Sequence, residues 1–346
     1  MRKFNPSRLK LARVRNGMTM TALAKETNLS PRIVVEYEKE YCNYEPSEST
    51  ITAFVNTLGY PEEFFFGDDI ETIDPSTVSF RSLKKMTAAQ QNAAIGAGQL
   101  GLIVNDYFEH HFKLPNLDLP DLRGESPEEA AISLREHWRL GNKSISNMIH
   151  LLEMKGVRVY SLSENAVEVD AYSFWKVNKA FVFLNNQKTA ERSRFDAAHE
   201  LGHLVLHRHG SPQGKDIETE ANEFASAFLM PRDNVIASKL SYPTVDAISK
   251  LRHNWKVSTF ALIYRMKQLN ILTTWQYNNI VREASARGYR TGEDSVMERE
   301  RSMIIDKLLN ALHSEGVTIP KLSSLLNIPV RELTNLLFKF AVISNR

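Results

Sequence analysis

The chain has 346 residues, of which 42% are hydrophobic and 24% are charged, and its formal net charge is +2. This composition is typical of globular proteins, predicts about two or three domains, and excludes nucleic-acid binding that relies on overall charge. The single cysteine, Cys42, excludes an intramolecular disulfide. Because no apolar run is long enough for a signal segment or a membrane span, we expect a cytoplasmic protein without membrane partners.

Residues 1–70 predict a bundle of five short helices. Gly17 ends the first helix, Thr19 caps the second, and Ser30-Pro31 starts the third with a capping residue and a first-turn proline. Two helices joined by a short turn in such a bundle can place the second helix in the major groove of DNA. Residues 1–32 are also locally basic, with Glu26 as the one acid. We therefore expect this patch, which includes Arg8, Arg13, Arg15 and Arg32, to contact DNA phosphates.

This segment resembles the Xre/Cro-like helix-turn-helix family. The resemblance is carried by Arg8-Leu9, Leu23-Ala24, Ser30, Tyr37-Glu38, Leu58-Gly59 and Phe64-Phe65. It implies that the first residues of the helix near Ser30 contact base edges. Met20, where the family usually has glutamine, and the acids Glu36, Glu38 and Glu40 depart from the family pattern. Binding of another protein, such as the helix-turn-helix of a repressor, therefore remains an alternative.

The segment Arg194–His203 is the most informative part of the chain. His199 and His203 are four residues apart, so on a helix both imidazoles lie on one face and can bind a single metal ion. Glu200 borders that site and is placed to take a proton from water rather than to bind the metal. The pattern predicts a zinc-dependent hydrolase, and the alternative is a core helix with two hydrogen-bonded histidines.

A zinc peptidase needs a third protein ligand, and three residues downstream are candidates. His209 has the position of the third histidine in the metzincin pattern, but Leu206 replaces the glycine at which that chain turns. Glu218 shares a helix face with small side chains, which allow close approach to the His199 helix, whereas Glu220 is on another face. We therefore predict Glu218 as the ligand, with His209 and Glu220 as alternatives.

The same region resembles the ImmA/IrrE metallopeptidase family. The matching residues are Arg-Phe-x-x-Ala-His-Glu-Leu-Gly-His at 194–203, Glu-x-x-Ala-Asn-x-Phe-Ala at 218–225, and Leu-Met-Pro at 229–231. The resemblance implies a gluzincin-like zinc site with ligands His199, His203 and Glu218, the general base Glu200, and Asn222 in a supporting position. It also implies the substrate class, because members cleave, or are suspected to cleave, repressors of stress-response genes or mobile elements.

Two strands are predicted before this helix, at Val157–Leu162 and Ala180–Asn186. The second strand directly precedes the helix, where the edge strand of a zinc peptidase pairs with an extended substrate. Phe181, Val182, Phe183 and Leu184 are therefore candidates for binding the substrate backbone. An ordinary core strand is the alternative.

The C-terminal residues carry no motif. Arg282–Arg301 is strongly charged and predicts an exposed segment, and three short helices follow at Ile304–Leu312, Ile319–Leu326 and Val330–Phe338. These helices predict either a second helix-turn-helix-like unit or a dimerisation or docking bundle. The sequence is compatible with a homodimer.

The whole chain is thus expected to be an α+β, mostly helical protein. Its predicted parts are a helix-turn-helix domain at 1–70, a zincin-like peptidase domain with a small mixed sheet at 78–275, and a helical C-terminal domain at 276–346. The predicted function is zinc-dependent cleavage of a regulatory protein. The alternative is a DNA-binding regulator or toxin-antitoxin component whose zinc site is structural or conditionally active.

Overall fold

The structure is a computed structural model, and it is mostly helical. It describes residues 2–41, 44–80, 86–162, 171–185, 187–208, 215–238, 240, 242–290 and 292–337. Sixteen α-helices and one four-stranded sheet lie within these ranges, which confirms the mostly helical α+β class. Among the described helices, none combines the length and apolar character needed to cross a bilayer.

The N-terminal bundle has the five helices that the sequence predicts. They are α1 Pro6–Arg15, α2 Met20–Glu26, α3 Pro31–Tyr37, α4 Glu48–Leu58 and a 3-10 helix Glu62–Phe66. Asn5, Thr19, Ser30 and Ser47 cap the four α-helices by accepting hydrogen bonds from the first-turn amides. Their aromatic core includes Phe54, Phe64 and Phe65, which are fully buried.

The middle of the chain forms a mixed sheet and the helices on its two faces. The strands are β1 Ser79–Phe80, β2 Arg158–Ser161, β3 Ala171–Lys176 and β4 Lys179–Leu184, in the order β1-β3-β4-β2. β3 and β4 are an antiparallel hairpin, β2 is parallel to β4, and β1 pairs antiparallel with β3. The helices are α5 Ala88–His111, α6 Pro127–His137, α7 Met148–Met154, α8 Ala190–Leu206, α9 Lys215–Leu229, α10 Arg232–Ala237, α11 Val245–Leu251, α12 Thr259–Gln268 and α13 Thr274–Ala286.

The sheet separates two hydrophobic cores, because side chains alternate between the two faces of a strand. Val182 and Leu184 of β4 belong to the core that contains α8 and α9. Phe181 and Phe183 belong to a second core, which joins α5, the N-terminal bundle and the last helices of the chain. In this second core Tyr172 and Phe183 stack with ring centroids 4.8 Å apart. The N-terminal and C-terminal helices therefore share one apolar interior.

The last three helices repeat the geometry of the first three. They are α14 Met303–Ser314, α15 Ile319–Leu326 and α16 Val330–Leu337. Gly17 and Gly316 have φ of 64° and 74°, and Asn28 and Asn327 have φ of 56° and 54°; each pair lies 299 positions apart. Buried residues correspond at the same offset, in the pairs Leu9 and Leu308, Leu23 and Leu322, and Val34 and Leu333. The C-terminal unit therefore shares helix order, turn conformations and buried positions with the N-terminal bundle, and a second helix-turn-helix-like unit stays a prediction.

The third helix of the C-terminal unit is covered where the third helix of the N-terminal bundle is exposed. α16, the counterpart of α3, packs against β2, and the Ser161 hydroxyl donates a hydrogen bond to the Asn335 carbonyl. At the 299-residue offset Ile33 of α3 corresponds to Glu332 of α16, and Ile33 is 41% exposed whereas Glu332 is 7% exposed. The C-terminal unit thus docks on the peptidase region of its own chain.

The charged stretch Arg282–Arg301 is not an exposed segment throughout, so that prediction is wrong in part. Its first residues complete α13. Farther on, Glu300 is buried, pairs with Arg194 of α8 and accepts a hydrogen bond from the Met148 amide at 2.9 Å. These contacts fix the first turns of α8, because Arg194 is itself 1% exposed.

Candidate metal centre

The site is formed where α8 and α9 pack closely together. Gly202 makes the approach possible: a Cβ atom at this position would lie 2.9 Å from Cδ1 of Phe224 on α9. Ala221 and Ala225, both fully buried, are the small residues of α9 at this contact. The close approach lets an acidic side chain of α9 reach the histidines of α8.

Three side chains converge at this contact. The Nε2 atoms of His199 and His203 are 3.0 Å apart, and they lie 3.4 Å and 3.3 Å from the two carboxylate oxygens of Glu218. His199 and His203 are buried, and the side chain of Glu218 is 26% exposed. Among the described residues this is the one group of three potential metal ligands that lie this close together.

The spacing fits a tetrahedral divalent ion. With bonds of about 2.0–2.1 Å, two ligands of such an ion lie about 3.3–3.4 Å apart. The three separations of 3.0, 3.3 and 3.4 Å are close to this value. Two imidazoles and one carboxylate are also a donor set that zinc takes in catalytic sites, where a fourth position stays open for water or substrate. These residues therefore fit a zinc ion.

The charge of the carboxylate suits a cation. Burial acts to raise the pKa of Glu218, but hydrogen bonds from His199 and His203 outweigh it and lower the pKa to about 2. Glu218 is thus an anion near neutral pH. Such a cluster is ready to bind a metal without a change in the carboxylate.

Asn222 orients the first ligand. Its Nδ2 donates to the Glu218 carbonyl at 2.7 Å, which leaves Oδ1 as an acceptor 3.1 Å from Nδ1 of His199. The imidazole therefore has its proton on Nδ1 and its lone pair on Nε2, which points into the site. The supporting role implied for Asn222 thus has a specific geometry.

The second ligand has a neighbour that the sequence reasoning did not identify. His207, which follows the last residue of α8, has its Nδ1 3.1 Å from Nδ1 of His203. Its other nitrogen, Nε2, lies 2.8 Å from Oε2 of Glu220. Glu220, an alternative metal ligand in the sequence, therefore contacts His207 instead. His209, the other alternative, lies outside the described residues.

Glu200 lies beside the cluster without belonging to it. It is fully buried, and its Oε2 accepts a hydrogen bond of 2.6 Å from the Ser173 hydroxyl on β3. Sequence reasoning missed Ser173, because no local pattern connects a strand serine with a glutamate on a later helix. The hydrogen bond orients the carboxylate of Glu200, which directly follows His199 in the sequence.

Two family models match the chain. Residues 152–267 match the IrrE N-terminal-like domain of the peptidase M78 family, and residues 9–65 match a helix-turn-helix domain. The chain has an IrrE-like metallopeptidase domain preceded by an Xre/Cro-like helix-turn-helix domain. The comparison with curated proteins found no match.

The IrrE-like match spans the whole cluster, since it begins within α7 and ends within α12. The predicted resemblance to the ImmA/IrrE family is therefore confirmed, and so is a metallopeptidase type of enzyme. The C-terminal unit lies outside both matches.

The predicted substrate cradle on the IrrE-like domain is wrong. Phe181, Val182, Phe183 and Leu184 are fully buried in β4, which pairs with β2 on one side and β3 on the other. A central strand has no free edge for a peptide. Its position directly before the His199 helix indicates an edge strand, but β3 and β2 flank it on both sides.

The predicted basic patch of the helix-turn-helix domain is largely internal. Arg8, Arg13 and Arg15 are buried, at 9%, 7% and 2% exposure. Arg13 forms a two-point ion pair with Glu38, with distances of 2.5 and 2.7 Å. The DNA-contact prediction for these three arginines is therefore wrong, because their charges are satisfied inside the protein.

Ser30 and Arg32 remain candidates for an external partner. Both are exposed at the start of α3. The Ser30 hydroxyl accepts a hydrogen bond of 3.3 Å from the Ile33 amide and so also caps the helix.

Proposed function

We propose that the protein is a zinc-dependent endopeptidase that cleaves a regulatory protein in the cytoplasm, with a transcriptional repressor of stress-response or mobile-element genes as the substrate class. The observation that carries this proposal is the convergence of His199, His203 and Glu218 beside the buried carboxylate of Glu200. The IrrE-like domain supports a protein substrate. The repressor substrate rests on the family resemblance.

The residues fit gluzincin-like hydrolysis. When bound, zinc supplies Lewis-acid chemistry, which lowers the pKa of water toward about 7 and polarises the scissile carbonyl. Glu200 takes the proton from the attacking water and passes it to the leaving amine. The Ser173 hydroxyl donates a hydrogen bond of 2.6 Å to Oε2 of Glu200, which orients this carboxylate.

The helix-turn-helix domain is proposed to direct the peptidase to its target. α3 presents Arg32 together with the apolar side chains Ile33 and Val35 to solvent. This mixed surface can contact phosphates and thymine methyl groups on DNA, or an apolar patch on a repressor. DNA is the partner that the domain type supports.

The second candidate function is a DNA-binding regulator, or a toxin-antitoxin component, with a structural or conditionally active zinc site. The observation that favours this alternative is the exposed start of α3, where Ser30 and Arg32 are free to contact DNA. Glu200 favours the enzyme, because a structural site has no use for a buried carboxylate that does not bind the metal.

The deciding experiment compares new protein N-termini in native cells that produce the wild type, Glu200→Gln or Glu223→Gln, with and without DNA-damaging or oxidative stress. Glu223 is on the same helix as Glu218 but outside the cluster, so its variant controls for the loss of a carboxylate. We expect a new terminus with the wild type and with Glu223→Gln, and none with Glu200→Gln. If no terminus distinguishes Glu200→Gln from the wild type in any condition, the endopeptidase proposal fails.

A further inference from the structure

His203 is supported by a chain of hydrogen bonds that reaches the protein surface. We propose that His207 and Glu220 are positioning residues, which hold His203 in the tautomer and orientation that bind zinc. This inference rests on the proposed zinc site and adds two residues to it. His207 contacts only one of the three proposed ligands, His203, in these hydrogen bonds, and Glu220 contacts His207.

The proton arrangement along this chain follows from the metal site. Nε2 of His203 lies 3.0 Å from Nε2 of His199 and must offer its lone pair to an ion bound there. The proton of His203 is then on Nδ1, which donates to Nδ1 of His207 at 3.1 Å. His207 in turn has its proton on Nε2, which donates to Oε2 of Glu220 at 2.8 Å. Every donor therefore meets an acceptor.

Helix α9 thus supports both histidine ligands, but by different routes. Asn222 contacts His199 directly, with 3.1 Å between Oδ1 and Nδ1. Glu220, two residues earlier, points in another direction from the helix axis, because successive residues are about 100° apart. His207 bridges the remaining distance between Glu220 and His203.

His207 is buried and Glu220 is half-exposed, as expected if His207 contacts the ligand and Glu220 lies at the surface end of the hydrogen-bond chain. The side chain of His207 is 9% exposed, whereas that of Glu220 is 48% exposed. His207 is enclosed by the peptidase domain, with its ring centroid 5.2 Å from that of His203. The imidazole of His207, packed against that of His203, restricts rotation of the His203 ring. The anion at the far end favours the tautomer of His207 that accepts from His203.

Outer-shell partners of metal-binding histidines typically change metal affinity by about 10–100-fold when they are removed. We therefore expect His207→Phe to weaken zinc binding by about tenfold or more, because phenylalanine fills a similar volume but accepts no hydrogen bond. His207→Asn should recover much of the loss, since an asparagine oxygen can accept from Nδ1 of His203. Glu220→Gln should have a smaller effect in the same direction.

The measurement is competition for zinc between the full-length protein and a chromophoric chelator, with Glu223→Gln as the matched control on α9. A second readout is the visible absorption of the cobalt-substituted protein, which reports ligand geometry independently of cleavage. We expect a changed cobalt spectrum for His207→Phe and a spectrum close to the wild type for His207→Asn. Thermal unfolding of the metal-free variants identifies any variant that fails to fold.

Three results would overturn the inference. They are zinc affinity of His207→Phe within about twofold of the wild type, an unchanged cobalt spectrum, or an equal loss in His207→Phe and His207→Asn when both fold. If His207→Phe does not fold, His207→Asn and Glu220→Gln decide, and wild-type affinity in Glu220→Gln refutes the role of Glu220. Failure of the wild type itself to bind zinc would instead refute the proposed function.

Discussion

Arg15 of α1 and Glu332 of α16 form a buried ion pair although 317 positions separate them. Nη2 of Arg15 lies 2.6 Å from Oε2 of Glu332, and Nη1 donates to the Ala93 carbonyl of α5 at 2.7 Å. Arg15 is 2% exposed and Glu332 is 7% exposed. One guanidinium therefore joins the helix-turn-helix domain, the long helix under the sheet and the C-terminal unit.

Breaking this pair should destabilise the whole chain. Removing one partner of a buried ion pair leaves the other charge uncompensated, which typically costs about 3–5 kcal/mol. We expect Arg15→Met to lower the free energy of unfolding by this amount in urea titration, while Lys10→Met on the exposed side of α1 has little effect. The double variant Arg15→Met, Glu332→Met should be more stable than Arg15→Met alone. Equal stability of Arg15→Met and Lys10→Met would contradict the role of the pair.

Removing the acidic ligand should abolish tight zinc binding. Glu218 supplies the carboxylate of the cluster, so we expect Glu218→Ala to bind zinc more than about a hundredfold more weakly than the wild type. Glu223→Ala on the same helix should retain one zinc per chain. Atomic absorption after dialysis measures both. Equal zinc content in the two variants would mean that Glu218 is not a ligand.

Glu109 gives a pH-dependent contribution to stability. Its carboxylate joins α5 to the sheet, accepting from Arg158 of β2 at 3.0 Å and from Lys179 of β4 at 2.5 Å. Burial acts to raise the pKa of Glu109, but the hydrogen bonds from Lys179 and Arg158 outweigh it, and the net pKa is lowered. A lowered folded-state pKa adds stability above the unfolded-state value, and this stability is lost as the pH falls through the folded-state pKa.

We therefore expect Glu109→Gln to lower the free energy of unfolding at about pH 7 by about 0.5–1 kcal/mol, because the pair is partly solvated. At about pH 3 the difference from the wild type should shrink. Urea midpoints of the metal-free proteins at both pH values provide the test, with the exposed Glu136→Gln as control. A difference that is constant or grows at low pH would refute this assignment.

Arg32 should contribute to DNA binding if α3 is the recognition helix. We expect Arg32→Ala to weaken binding to duplex DNA and to reduce the slope of log affinity against log salt by about one. Arg331→Ala is the matched control, because Arg331 is exposed at the corresponding position of the C-terminal unit. Fluorescence anisotropy over a salt series measures both variants. If the wild type binds no DNA even at low ionic strength, the partner of α3 is a protein.

Local signals predicted much of this fold. The capping residues Thr19 and Ser30 set the starts of α2 and α3, because a cap needs only neighbouring amides. The four-residue spacing of His199 and His203, together with the small residues around Glu218, anticipated which side chains converge. Helix geometry relates such residues without knowledge of the tertiary fold.

Features that depend on distant partners were missed. The charge of Arg15 indicated an exposed patch, since its partner Glu332 lies at the other end of the chain. Ser173 has no local signal, because its role depends on the packing of β3 against α8. His207 is different: it continues the four-residue spacing of His199 and His203, so the sequence contained a signal that could have identified it.

If α3 binds DNA as proposed, the packing of α16 against β2 limits how many DNA half-sites one chain can occupy. A palindromic operator presents two half-sites about one helical turn apart, and each needs a recognition helix. Since α16 is seated on β2, a single chain has only α3 to offer among its described helix-turn-helix units. Full occupancy of such an operator would therefore require two chains, and the protected length of DNA would rise in steps of one half-site with protein concentration.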